Sequence, residues 1–317
     1  MSSLRIGTRR SALALWQAEH VAALLCAHHP GLAVELVRME TRGDRFLEAP
    51  LAQVGGKGLF VREIEDALLR GEVDLAVHSL KDLPAELPEG LALASPPPRE
   101  DPRDALVGRT GRTVAELPRG ARVGTSSLRR AAQLRARRPD LEVVPVRGNV
   151  QTRLAKALGP APHGEPLLDG VLLALAGLRR LGLEEKVTEP LDAEGFVPAV
   201  GQGILGLERR AGDERLARLL APLGDARAER EAAAERALLA RLGAGCHVPL
   251  GGHATLRGDR LRLVGVVGDP ETARLFRVER EGPAGGAERL GREVAERLLE
   301  TEGGRFLAAP TGSPPAG

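Results

Sequence analysis

The chain has no tyrosine, one tryptophan and five phenylalanines in 317 residues, so aromatic side chains make up only 2% of it. Proteins that bind nucleic acid depend on aromatic stacking platforms and a basic field. Here the formal net charge is +2 despite 45 cationic side chains, so both features are missing. Cysteine is almost absent too: Cys26 and Cys246 lie far apart with no CxxC spacing, which speaks against a disulfide framework or a standard zinc site. No apolar run approaches the length of a membrane span. The opening Met-Ser-Ser-Leu-Arg-Ile-Gly-Thr-Arg-Arg places charge where a secretory signal would be apolar, so a cytoplasmic location is expected. The chain does have 43% hydrophobic residues and a length beyond the usual single core, which predicts two or three folded domains.

Lysine and asparagine are scarce in a way that helps. Of the 45 cations only Lys57, Lys81, Lys156 and Lys186 are lysines, and Asn149 is the sole asparagine. Such a bias fits a GC-rich genome. Against that pressure, a lysine kept in Gly55-Gly56-Lys57-Gly58 or in His78-Ser79-Leu80-Lys81-Asp82 points to a chemical requirement.

Arginine is abundant, and it gathers in three turns where a strand hands over to a helix or loop. These are Thr8-Arg9-Arg10-Ser11, the run Val123-Gly124-Thr125-Ser126-Ser127-Leu128-Arg129-Arg130, and Arg147-Gly148-Asn149 with Arg153 a helical turn further on. A helix start offers unpaired N–H groups and the positive end of a dipole, and guanidinium forks bind carboxylate or phosphate in pairs. The expected ligand is a small polyanion. The competing reading is solvated surface charge, which fits the run Arg135–Arg138. The turn arginines differ because they follow buried strands and neighbour glycine and serine, which let a ligand reach the backbone.

Hydrophobic spacing predicts a strand at Leu4–Gly7, a helix over Ser11–Ala27 with apolar positions Leu13, Leu15, Val21 and Leu24, and a strand at Leu32–Met39. The glycine-rich stretch Phe46–Gly58 precedes a helix at Val61–Leu69 and a buried strand at Val73–Val77. This alternation implies a mainly parallel sheet. Pro96-Pro97-Pro98 and Asp101-Pro102 read as an inter-domain hinge, after which Val123-Gly124-Thr125 repeats the Ile6-Gly7-Thr8 start and Asp169–Ala174 resembles Asp74–Val77. The segment Val197–Gly203 reads as a crossover back to the first unit, with Ile204–Glu208 a further strand. A charged helix over Ala226–Leu242, an antiparallel pair at Leu261–Val267 and Arg274–Val278, and a helix at Ala287–Leu299 make a small α+β unit. The expected division is 1–98 with 202–222, then 103–198, then 226–309, with a disordered tail at 310–317.

Cys246 follows Gly243-Ala244-Gly245, a flexible turn suited to a reachable thiolate or an attachment point, although a chance exposed thiol or a metal site with His247 and His253 also fits. Cys26 reads as core packing. Asp82 ends a predicted parallel strand, the edge where open α/β sheets bind ligands; it could handle protons or steady a cation, or simply cap the turn before Leu83-Pro84.

The motifs GGKGLF at 55–60, DLAVHSLKDLP at 74–84, REDPRDALV at 99–107, VGTSSLRR at 123–130, RGNVQTRL at 147–154, AVGQG at 199–203 and GCHVP at 245–249 together resemble the porphobilinogen deaminase family, also called hydroxymethylbilane synthases, from Arg5 to about Phe306. The resemblance implies two similar doubly wound α/β domains around a cleft, like periplasmic binding proteins, plus a small α+β domain. It further implies a transferase that carries a covalent dipyrromethane cofactor on Cys246, extends it with four porphobilinogen units, and releases ammonia and hydroxymethylbilane. By position it assigns catalysis to Asp82, cofactor binding to Lys81, Thr125, Ser127, Arg129 and Arg130, substrate binding to Arg9, Ser11, Gln17, Arg147 and Arg153, and a closing loop to Lys57 and Phe60. A monomer that hands its product to uroporphyrinogen-III synthase is the implied partner arrangement. The chain departs from many family members at Gln53, where they carry lysine, and in the Pro- and Gly-rich stretch Ala157–Pro166. Two rivals are weighed against this reading. One is an anion-binding receptor, disfavoured by the expected lack of a signal and by the turn cysteine. The other is a phosphate enzyme, disfavoured by the absence of a G-x-x-x-x-G-K-[ST] loop.

Overall fold

The computed structural model describes residues 3–41, 61–160, 167–243, 248–269 and 272–308. The expectations placed on Lys57, Phe60, Gln53, Cys246, His247 and the tail lie outside these residues. In chain order, β1 (Ser3–Arg9), α1 (Ala12–His28), β2 (Ala33–Met39), α2 (Arg62–Leu69), β3 (Leu75–Ser79) and β4 (Leu91–Leu93) come first. The chain then makes β5 (Asp104–Gly108), β6 (Arg122–Gly124), α3 (Leu128–Arg137), β7 (Glu142–Val144), α4 (Val150–Leu158), β8 (Gly170–Ala174), α5 (Leu175–Arg180) and β9 (Glu189–Pro190). It returns through β10 (Leu205–Arg210) and α6 (Glu214–Leu220) before α7 (Ala226–Arg241), β11 (Leu250–Arg257), β12 (Arg260–Gly268), β13 (Leu275–Pro283) and α8 (Ala287–Glu300).

The strands form a first sheet in the order β2-β1-β3-β10-β4, a second in the order β7-β6-β8-β5-β9, and a third in the order β11-β12-β13. The first two share one topology; the second is built from strands consecutive in the chain, whereas the first takes β10 from beyond the second unit. In the first, β1 pairs in parallel with β2 and β3, while β10 is antiparallel to β3 and β4. In the second, β6 is parallel to β7 and β8, while β5 is antiparallel to β8 and β9. The sheets are therefore mixed rather than mainly parallel, because β5, on arrival in the second unit, and β10, on return to the first, each run against the local direction. The internal repeat extends to side chains. Asp74 Oδ2 accepts the Arg5 backbone N–H at 2.9 Å, and Asp169 Oδ2 accepts that of Arg122 at 2.7 Å. In both units an aspartate at the start of the central strand ties down its neighbour.

The arginine turns fold as they do because polar residues cap the helices that follow. Ser11 Oγ accepts from Ala14 N–H at 3.3 Å, Ser127 Oγ from Arg130 N–H, and Asn149 Oδ1 from Thr152 N–H at 2.8 Å. Helix α1 buries Ala14, Gln17, Ala18, Val21 and Leu25; of the four positions that spacing picks out, Val21 is fully buried and Leu13, Leu15 and Leu24 are half-buried. The helix is apolar nearly all round, so periodicity could not choose its buried side. For the same reason Cys26 corrects its core assignment: one residue past Leu25, it turns about 100° away and is exposed, with its thiol facing the Leu32 carbonyl at 3.7 Å. Arg138 is no free surface charge either, since it donates to the carbonyls of Val114, Ala115 and Leu117 and to Asp140.

The third unit is a three-stranded antiparallel sheet covered by α7 and α8, with Leu238, Leu263, Val294 and Leu298 at its centre. Strand β11 was not visible in sequence. The proline-rich segment before β5 is firmly pinned. Arg99 donates to Glu235 at 2.7 Å and to Glu231 at 3.3 Å on α7, and to the Gln202 carbonyl at 3.0 Å. Glu235, fully buried, also accepts from Gly201 N–H at 2.6 Å and Ala254 N–H at 2.7 Å, so one carboxylate joins the linker, the 199–203 turn and the third sheet.

Candidate functional site

The carboxyl ends of β1 and β3 and the helices α1, α4 and α5 meet around two adjoining cavities of about 50 and 110 Å³. Leu13, Gln17, Ser79 and Asp82 line both. The smaller is completed by Arg9 and Ser11 among others, and the larger by Lys81, Arg130, Arg153, Arg180 and apolar walls such as Val150 and Leu173. Strand ends of open α/β sheets are where ligands bind, since loops and helix starts gather there.

Asp82 stands in the single 3₁₀ turn, Leu80–Asp82, that follows β3, and its side chain is exposed to the cavity. Lys81 beside it donates to Gln202 Oε1 at 3.2 Å. Burial, with repulsion from Arg130, lowers the Lys81 ammonium to about 8. Arg153 is lowered to about 10 by burial and by Arg130, and it is held by a 2.8 Å bond to the Gly148 carbonyl. Gly148 has φ +110°, a conformation that glycine adopts freely, so this carbonyl turns back toward α4. Arg180 is also lowered to about 10 by burial, Glu100 acting against the shift; it donates to the Gly203 carbonyl at 2.7 Å and lies over the Trp16 ring at 5.9 Å. A cavity lined by four poorly hydrated cations and one carboxylate favours a ligand with several negative charges.

Asp104 organises this cluster from below and was not recognised in sequence, where it sits in an apparent linker. It is fully buried and takes Arg129 Nη1 at 2.6 Å, Arg130 Nε at 2.9 Å and Gln202 Nε2 at 2.9 Å. Burial pushes its carboxyl up, but Arg129 and Arg130 outweigh that and hold it well below the usual carboxylate range. Arg129 Nη1 also donates to the Val197 carbonyl at 2.7 Å, while Arg130 also donates to the Leu172 carbonyl yet still lines the larger cavity. Of this pair, Arg130 is thus the one that faces a ligand.

The other expected residues divide similarly. Arg9, Ser11, Gln17, Lys81, Asp82, Arg130 and Arg153 come together in the cavity walls. Gln17 is buried and donates to Ser79 Oγ at 2.9 Å. Thr125 is buried and its Oγ1 accepts the Ser127 N–H at 3.2 Å, so these two shape the turn before α3. Arg147 is half-buried in the turn before α4. Sequence reasoning missed Ser79, Asp104, Arg180 and Gln202. Only Gln202 carried a local signal: it lies between Gly201 and Gly203, whose φ angles of +72° and +89° mark a turn built to aim a side chain. Among the described residues no cluster of His, Cys, Asp and Glu is arranged to hold a metal ion, and no helix is long and apolar enough to cross a membrane.

Comparison with known proteins accounts for nearly the whole chain. Residues 4–218 match the family model described as porphobilinogen deaminase, dipyromethane cofactor binding domain, and residues 230–300 match that of the porphobilinogen deaminase C-terminal domain. The protein is similar to the porphobilinogen deaminase of Syntrophotalea carbinolica, 54% identical over 97% of this chain and 96% of that one. It is similar also to that of Roseiflexus castenholzii, 54% identical over 97% of this chain and 99% of that one, and to that of Pelobacter propionicus, 53% identical over 96% of each. With the charged cavity at the sheet ends and two family models covering most of its length, the chain belongs to the porphobilinogen deaminase family.

Proposed function

We propose that this cleft joins porphobilinogen units head to tail onto a covalent dipyrromethane, with loss of ammonia and release of hydroxymethylbilane, as a step of tetrapyrrole biosynthesis. The observation that carries this reading is the cavity of Lys81, Arg130, Arg153 and Arg180 around Asp82. Pyrroles bearing acetate and propionate groups are polycarboxylates, and the donor set fits them: four cations, mostly stripped of water, share the cavity wall with one carboxylate, Asp82.

When bound through Cys246, a dipyrromethane supplies a nucleophilic pyrrole carbon from which the chain grows. The protein's own groups do the rest. Arg130, Arg153, Arg180 and Lys81 hold carboxylates, and Gln202 fixes the Lys81 ammonium from the turn that Glu235 anchors. Asp82 borders both cavities, so its carboxylate can accept pyrrole N–H groups and balance the positive charge that develops as the substrate's C–N bond breaks. Leu13, Val150 and Leu173 keep part of the wall dry, which strengthens those charges. Arg9 and Ser11 at the smaller cavity suit an incoming unit, and Arg147 a longer chain. Thr125, Ser127 and Arg129 support cofactor binding by shaping the floor, and Lys57 and Phe60 serve as parts of a covering loop. The division into 1–98 with 202–222, 103–198 and 226–309, a monomeric state, a cytoplasmic location and product hand-over to uroporphyrinogen-III synthase complete the proposal.

The intact mass of the purified protein tests it. An excess equal to two linked porphobilinogen-derived units, mapped to Cys246 and absent in Cys246→Ser, is expected. An unmodified thiol that porphobilinogen cannot load would overturn the reading in favour of an anion-binding protein.

A further inference from the structure

Behind the smaller cavity lies a second group of ionisable side chains that the reaction as described does not use. His78, on β3 and 5% exposed, lines the cavity beside Ser79 and Asp82. Its Nε2 lies 3.2 Å from Oε2 of the fully buried Glu208 on β10. Register explains the contact: Glu208 stands opposite Ala76, and Ala76 and His78 point to the same face of β3. Glu65 of α2, 5% exposed, closes over this face. Glu65 Oε1, both carboxylate oxygens of Glu208 and His78 Nε2 find no hydrogen-bond partner among the described residues, so the 3.2 Å approach of His78 to Glu208 is a close contact without hydrogen-bond alignment.

Two carboxylates without enough donors in a dry pocket are costly, and an added proton relieves the cost. Burial and the nearby Glu208, helped by Asp66 and opposed by Arg62, raise the Glu65 carboxyl to about 7. From α7, Arg236 faces Glu208 while donating to the Ala85 carbonyl at 2.7 Å. On the cavity side the charged neighbours of His78 are Asp82 and Arg9. His78 and Glu208 therefore lie close enough to pass a proton between them, with the buried Glu65 carboxyl acting on Glu208 through its charge, and of the three His78 lines the cavity wall.

We propose that His78, backed by Glu208 and Glu65, exchanges protons with the cavity, accepting the proton shed as each new carbon–carbon bond is completed. This rests on the polymerising reading above. For each unit added, the substrate's C–N bond breaks and its electron pair leaves on ammonia. A carbon–carbon bond then forms at the free ring carbon of a unit already added. The C–H pair of that carbon returns to the ring as its proton passes to the His78 imidazole, and from there to ammonia, which departs as ammonium. Glu208 balances the imidazolium while the proton resides there.

The test uses the full-length, primer-loaded protein with His78→Gln and Glu65→Gln, the mass of the Cys246 adduct being measured in each. In His78→Gln with its adduct intact, kcat should fall on the order of 10²-fold with KM little changed, as for loss of a proton-transfer group. Glu65→Gln should keep its fold and shift the pH profile of kcat. An infrared band from a protonated carboxyl at neutral pH, lost in Glu65→Gln, is expected whether or not the primer is present. Unchanged kcat and pH profile in His78→Gln, or absence of that band, would overturn the proposal. An unsubstituted protein lacking both primer and turnover would sink the polymerising reading itself, and a surviving band would show that failure to be separate from the protonated carboxyl.

Discussion

Replacing Asp104 by asparagine isolates the carboxylate on which the cation cluster rests. The change keeps the shape but removes the charge that two buried guanidiniums share, with contacts of 2.6 Å to Arg129 and 2.7 Å to Arg130. Arg129 and Arg130 are only 4% and 5% exposed, so water cannot take over, and an orphaned buried charge costs about 3–5 kcal/mol. For a chain of 317 residues that corresponds to a melting midpoint about 5–8 °C lower. Because the folded carboxyl titrates below its unfolded value, this stabilisation is fully present above about pH 4 and is lost only as pH falls further. The deficit of Asp104→Asn should therefore be constant from neutral pH down to about pH 5 and narrow below about pH 4. Calorimetry across this range measures it, and the double variant Asp104→Asn/Arg129→Met should recover part of the loss by removing one orphaned charge. A loss below about 1 kcal/mol, or a double variant worse than the sum of its parts, would refute the account.

Asp82→Ala should keep its fold and its Cys246 adduct while turnover falls about 10³-fold, the scale of a key electrostatic group, and near-normal turnover in a single-variant assay would remove Asp82 from its role. The Lys81 ammonium, lowered to about 8 by burial and Arg130, carries its charge below that pH and loses it above; KM for porphobilinogen should therefore rise through pH 8 to 9, and in Lys81→Arg that rise should vanish. Gly203 combines φ +89° with a backbone approach in which a Cβ would run into the Glu100 carbonyl oxygen; Gly203→Ala should cost about 1–3 kcal/mol and displace the carbonyl that holds Arg180. Gly212→Ala, open on all sides, is the control expected to unfold like the parent.

Some of this protein could be read without coordinates because the causes are local. Serine and asparagine before helical runs cap α1, α3 and α4 where they stand in sequence. Strong polar–apolar alternation fixes α8, found at Ala287–Glu300 against an expected Ala287–Leu299. The repeated strand-and-turn phrases made the kinship of the first two sheets visible, and the motifs around Lys81, Arg130 and Arg153 named residues that line the cavity. Where no local cause existed, the reading failed. Helix α1 is apolar on most sides, so spacing found Val21 but not Ala14, Ala18 and Leu25 beside it, and Cys26 was misplaced.

The sequence by itself determined which side chains are available: arginines at helix starts, one lysine and one aspartate after a buried strand, and glycines that permit sharp turns. Tertiary structure decided how those charges are used. Asp104 reads as part of a proline-rich linker, yet 25 residues in sequence separate it from the Arg129 it neutralises, and 98 from the Gln202 that donates to it. Burial alone turned Lys81, Arg153 and Arg180 into poorly hydrated cations. Desolvation and long-range pairing depend on which elements pack together, and no spacing along the chain encodes that.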